Sequence, residues 1–171
     1  QPSMFFAAQH VELIDPFKGT ITPFSGDVHV NGNPHFHTDP RRVLQVAKAL
    51  ATRLGSLYPE KKPLVDQNLA NFESELQAKI AIWEKQLQAL KGRSVITQHA
   101  SFGYLWPWLG LTPVADLEPK PGLPPTPSHL QSLVQRWQAE PPVAVVVAAH
   151  QDPRSGRWLV EHAQPPRPLL V

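Results

Sequence analysis

Between Pro63 and Lys91 the apolar residues Val65, Leu69, Phe72, Leu76, Ile80, Trp83, Leu87 and Leu90 recur in steps of three and four. That spacing lays a continuous stripe along one face of a helix. Pro63 suits a first turn, where its missing N–H has no partner to lose. Lys91-Gly92 supplies a stop, with a cation at the negative end and a residue tolerant of left-handed backbone. At 1.5 Å per residue the helix is ~40 Å long, close to the diameter of a small domain. The pattern therefore predicts a helix that bridges two packing regions.

The flanking segments read differently. Residues 1–24 suggest a short strand or helix followed by a turn-rich connection, and 25–38, with Gly26, Gly32 and Pro34, a loop. Asp39-Pro40 caps a helix in which Val43, Ala47, Leu50, Leu54 and Leu57 share a face, ending before Tyr58-Pro59. After Gly92, short apolar runs alternate with helices. Strands are predicted at 94–97, 112–117 and 143–149, with another opening at 168–171. Helices are predicted at 101–108, from Pro127 behind a Thr126 cap, and from Asp152-Pro153 to Ala163. A stiff proline-rich segment, 118–127, lies between the second strand and its helix. This β-α-β-α order argues for a parallel sheet with crossover helices.

Composition narrows the chemistry. The 171 residues are enough for one domain or two small lobes, and carry 16 Lys and Arg against 14 Asp and Glu. The basic residues form no run and are not interleaved with aromatics, so no nucleic-acid surface is expected. No apolar run reaches the ~20 residues of a membrane span. Cysteine is absent, which excludes disulfides and thiolate metal sites, while eight histidines invite a search for a metal centre. The opening Gln1 suggests a processed product or a piece of something longer, and the last strand also looks cut.

Ligands of open parallel sheets bind beyond the carboxyl ends of the strands. His99 lies two residues past the strand at 94–97, and His150 directly follows that at 143–149, so both fall on this rim. Neutral imidazole suits Zn²⁺, whereas Mn²⁺ favours more carboxylate. His29 and His37 read as solvent-facing or supporting side chains, and His10, His129 and His162 as surface or capping residues. An alternative comes from His35-Phe36-His37-Thr38-Asp39, which has the H-x-H-x-D spacing of metallo-β-lactamase-type hydrolases; Pro40 stands where their next histidine would be. No nucleophile–base pair and no paired carboxylates mark the strand ends, so a binding protein, not an enzyme, is expected.

Four segments, in order, resemble one family. GNPHFHTDPRRVLQVAKALATRL (32–54) is similar to the N-P-H-x-W-x-D-P segment of the zinc- and manganese-binding periplasmic receptors of ABC importers, the cluster A-I solute-binding proteins. LVDQNLANFESELQAKI, QHASFGYLWPWLGL and EPKPGLPPTPSHL resemble their backbone helix, their H-D-A-F-G-Y-F…Y-G-L segment and their P-E-x-x-P-S loop. The resemblance implies two small α/β lobes with parallel sheets joined by a long rigid helix. Residues 1–62 would be part of the N-terminal lobe, 63–92 the bridging helix and 93–171 part of the C-terminal lobe. By position, His35 and His99 match two histidine ligands, one per lobe, while His150 stands near the family's glutamate. His37 replaces an aromatic residue. The family's first histidine would precede Gln1 and its late aspartate follow Val171, so the resemblance implies a chain incomplete at both termini. The implied function is capture of Zn²⁺, or alternatively Mn²⁺, by a monomeric periplasmic or extracytoplasmic receptor that delivers it to an ABC permease in the inner membrane. A truncated, metal-incompetent remnant is the competing implication.

Overall fold

The computed structural model describes residues 4–20, 22, 25 and 29–171; Gly26 of the expected loop lies outside them. The expected order of elements is present. A 3₁₀ turn at Ala7–His10 takes the place of the first strand or helix, and no strand occurs among the described residues before Ser94. Helix α1 (Pro40–Leu57) starts where the sequence places it, because the Asp39 carboxylate accepts from the Arg41 N–H at 3.0 Å and Pro40 occupies the first turn. Helix α2 (Lys62–Leu87) follows and continues as a 3₁₀ turn through Gln88–Leu90.

Helix α2 differs from its sequence stripe in one respect. None of its residues is fully buried. Val65, Leu69, Leu76, Ile80 and Leu87 are half-buried, whereas Phe72 and Trp83 are exposed. The helix runs beside α1, where Lys48 pairs with Glu73 at 2.6 Å. At its far end the Trp83 ring meets Trp108 edge-on at 6.2 Å, and Trp108 donates its indole N–H to Glu84 at 2.8 Å. It therefore touches both the helix before it and the elements after Gly92.

The remainder is a four-stranded, all-parallel sheet in the order β2-β1-β3-β4, built from β1 (Ser94–Thr97), β2 (Thr112–Asp116), β3 (Val145–Val146) and β4 (Leu169–Leu170). The short α3 (Leu105–Leu109) joins β1 to β2. Helices α4 (Pro127–Ala139, capped by Thr126 through the His129 N–H) and α5 (Arg154–His162) make the later crossovers. Strand β3 is shorter than the 143–149 run, yet backbone hydrogen bonds from Val143, Val145 and Val147 to both neighbouring segments keep that stretch extended. Its alternate residues serve two cores. Ile96, Val145 and Val147 pack with Leu117, Trp137 and Leu159 against α4 and α5. On the other face Val95 packs with Trp106 and Leu111. In this strand order β2 lies on one side of β1 and β3 on the other, so the topology reverses at β1. The carboxyl end of β1 is the switch point, where such sheets open a crevice for ligands.

A candidate metal centre at the switch point

His99 stands two residues beyond β1, in extended backbone just before a 3₁₀ turn at Ala100–Phe102. His35 comes from the loop ahead of α1, and two buried residues lock that loop to the sheet. Tyr104 is 2% exposed, and its hydroxyl donates to the Asn33 carbonyl at 2.6 Å and accepts from the Ile14 N–H at 3.0 Å. The Asn33 side chain donates to the Ala100 carbonyl at 3.1 Å. Gly32 (φ +113°) allows the close approach: a Cβ there would lie 2.7 Å from the Leu13 Cβ.

The outcome is two imidazoles, from distant parts of the chain, on one cavity of about 400 Å³ that Asp15, Lys18 and His29 also line. The His35 and His99 rings are 6.2 Å apart, centroid to centroid, and nearly perpendicular. Two imidazoles sharing one tetrahedral ion at ~2.0–2.1 Å would have centroids roughly 5–6 Å apart, a little less than the separation observed here. Asn33 also fixes the His35 tautomer. Its Oδ1 accepts from the His35 backbone N–H at 2.9 Å while its Nδ2 faces a carbonyl, which settles the amide orientation. The same Oδ1 is 2.7 Å from His35 Nδ1, so Nδ1 carries a proton, and in the neutral ring the lone pair is on Nε2. His99 Nδ1 lies 2.8 Å from Glu118 Oε2.

The other histidines separate. His29, set aside in the sequence reading, has its ring 6.1 Å from that of His35 and lines the same cavity. Its loop position has no periodicity that would have marked it. His150 is on the expected rim but opens elsewhere. The turn in which the Gln151 N–H bonds the Ala148 carbonyl at 2.8 Å leaves His150 exposed at its apex. It faces a neighbouring cleft that His35 and His37 share and His99 does not line. His129 is structural: its backbone N–H serves the Thr126 cap, and its ring Nε2 bonds the Asp116 carbonyl at 2.8 Å. His162 stacks on Trp158 at 4.2 Å. Among the described residues no three His, Asp or Glu side chains converge closely enough to hold an ion.

The H-x-H-x-D loop does not assemble into a centre. The Asp39 side chain is almost wholly buried and both of its oxygens bond Arg41, Oδ1 to Nε at 2.9 Å and Oδ2 to Nη2 at 2.8 Å. That carboxylate holds the Arg41 guanidinium above its ordinary value. A carboxylate so engaged is a helix cap rather than a ligand.

Fold and site together define an α/β protein with a histidine pair held between a preceding loop and the switch point of a parallel sheet. The chain belongs to the family described as ZnuA, zinc-uptake complex component A, periplasmic, whose sequence model matches residues 5–171. The zinc-binding lipoprotein AdcA of Streptococcus pneumoniae serotype 4 (strain TIGR4) is 31% identical over 107 residues, which are 63% of this chain and 21% of that protein. The high-affinity zinc uptake system protein ZnuA of Haemophilus ducreyi is 30% identical over 105 residues, 61% of this chain and 34% of its own. A zinc-bound crystal structure of a ZnuA deletion mutant superposes with a TM-score of 0.75 at 21% identity, over 96% of this chain and 58% of that one. A Mn²⁺ complex of FpvC from Pseudomonas aeruginosa gives 0.64 at 20% identity, over 80% and 52%. The chain thus spans between about a fifth and a third of these curated relatives and a little over half of the solved chains.

Proposed function

We propose that this chain is the ion-gripping portion of a receptor that captures Zn²⁺ outside the inner membrane and passes it to an ABC permease. The observation that carries the proposal is the His35–His99 pair on one cavity at the switch point. In this reading residues 1–62 and 93–171 belong to two lobes, with 63–92 as their backbone helix, and the receptor acts as a monomer. His35 and His99 each give a lone pair to the ion, one from each side of the cleft. Two imidazoles are half of a tetrahedral shell, and a third donor is needed. His29 lines the same cavity, its ring 6.1 Å from that of His35, and is the candidate for it once the three rings draw together around the ion, whereas His150 faces the neighbouring cleft. Imidazole donors favour Zn²⁺ over Mn²⁺.

The receptor carries out no bond chemistry in this reading: the ion is cargo, gripped and released. The family's description as periplasmic supports a periplasmic or extracytoplasmic placement. Among the described residues no helix is long and apolar enough to cross a membrane. X-ray absorption at the zinc edge tests the coordination directly. The expected spectrum has nitrogen at ~2.0–2.1 Å with the outer-shell scattering of at least two imidazoles, reduced in His35→Ala and in His99→Ala. A spectrum unchanged by either substitution contradicts the assignment.

A further inference from the structure

We propose that Glu118 is the positioning residue for His99, holding its ring in the tautomer that turns Nε2 toward the ion; this rests on the zinc-site reading above. The two rings of the pair have different supports. His35 is held by a neutral amide, Asn33. His99 is held by a carboxylate that is itself mostly shielded, the two side chains being 12% and 13% exposed.

A carboxylate oxygen accepts, so the 2.8 Å contact places a proton on His99 Nδ1; in the neutral ring that binds a metal, the lone pair is then on Nε2. Glu118 is fixed in turn, because the Gly122 N–H donates to the same Oε2 at 2.7 Å. Gly122 has φ +80°, a left-handed turn that brings its N–H back onto the side chain four residues earlier. The start of the proline-rich segment is thus a rigid bracket for one oxygen atom, and that atom orients the histidine. A carboxylate behind a ligating imidazole also raises its basicity, and removing such a partner ordinarily weakens metal binding by about 10–100-fold.

Because one oxygen accepts both bonds, Glu118→Gln can keep the geometry while removing the charge, and Glu118→Ala removes both. Three measurements on the 171-residue chain separate the roles: the His99 tautomer from ¹⁵N–¹H correlation spectra of zinc-free protein at pH 8, the zinc Kd, and the zinc-free melting temperature. The expected results are an Nδ1–H tautomer in wild type, loss of that tautomer in Glu118→Ala with about 10–100-fold weaker zinc binding, and recovery of the tautomer and most of the affinity in Glu118→Gln. An Nε2–H tautomer in wild type overturns the proposal whether or not the variants fold. Binding in Glu118→Gln as weak as in Glu118→Ala, or a Glu118→Ala change confined to the melting temperature, also overturns it. Failure of wild type to bind zinc removes the site reading itself. Tight wild-type binding with the other tautomer removes only the role of Glu118.

Discussion

The Tyr104 hydroxyl and the Asn33 carbonyl, 71 residues apart in the chain, meet at 2.6 Å in the interior. That bond ties the loop carrying His35 to the turn after β1 that carries His99, and the Arg42 guanidinium covers the Tyr104 ring at 4.7 Å. Tyr104→Phe leaves the Asn33 carbonyl and the Ile14 N–H without this partner. The expected cost is about 1–3 kcal/mol, the penalty for orphaned buried polar groups. Denaturant unfolding measures it, and because the loop loosens, zinc affinity should fall as well.

Helix α2 yields a graded prediction. Leu76 and Ile80 are half-buried, so replacing either by Ala should cost only about 1 kcal/mol, the transfer term for half a side chain. Leu159 is fully buried between α5 and the sheet, and Leu159→Ala should cost ~2–5 kcal/mol through transfer and cavity terms together. Urea midpoints for the three variants decide it, and equal losses would show that α2 is more deeply packed than its exposure indicates.

At the start of α5 the Arg154 guanidinium, bonded to Asp152 at 2.6 Å, holds that carboxyl below its usual range. A carboxyl lowered in the folded state adds stability above its unfolded pKa and loses it as pH falls through the folded value. An NMR titration should therefore give Asp152 a midpoint below that of an ordinary aspartate, and Arg154→Ala should move it up. An unchanged midpoint in Arg154→Ala would show that the pair does not persist in solution.

The loop histidines separate a receptor from a hydrolase. His37 is exposed and is not among the residues lining the His99 cavity, so His37→Ala should leave zinc affinity within about threefold. His29→Ala should weaken it by about tenfold or more if that ring is the third donor. No zinc-dependent cleavage of lactam, ester or phosphoester substrates is expected, and turnover abolished by His37→Ala would overturn the receptor reading.

Much of the fold is legible in the sequence because its boundaries are chemical. Asp39-Pro40 and Thr126-Pro127 mark helix starts through caps that the structure bears out, and Ser94–Thr97 forms as read. Periodicity is less informative about what covers a face. It put Phe72 and Trp83 on the α2 stripe, yet both remain exposed. The run at 143–149 is assigned as strand only at Val145–Val146, since its partner β4 is equally brief and the 148–151 turn ends it. Topology brought His99 and His150 to one rim, but the direction in which His150 opens depends on a single turn. His29 and Glu118 lie in segments without periodicity, where only tertiary contacts reveal a role.

The central claim is that His35 and His99 grip one ion, and thermal unfolding with and without zinc tests it most directly. Zinc at a hundred times Kd, bound to the folded state alone, should add about 2.7 kcal/mol, a rise in melting temperature of roughly 5–10 °C for a chain of this size. The increment should shrink as pH is lowered, because the ion must displace protons from imidazole. It should disappear in His35→Ala and in His99→Ala and persist in His129→Ala. A wild-type protein indifferent to zinc, or an increment that survives in both His35→Ala and His99→Ala, would contradict the account.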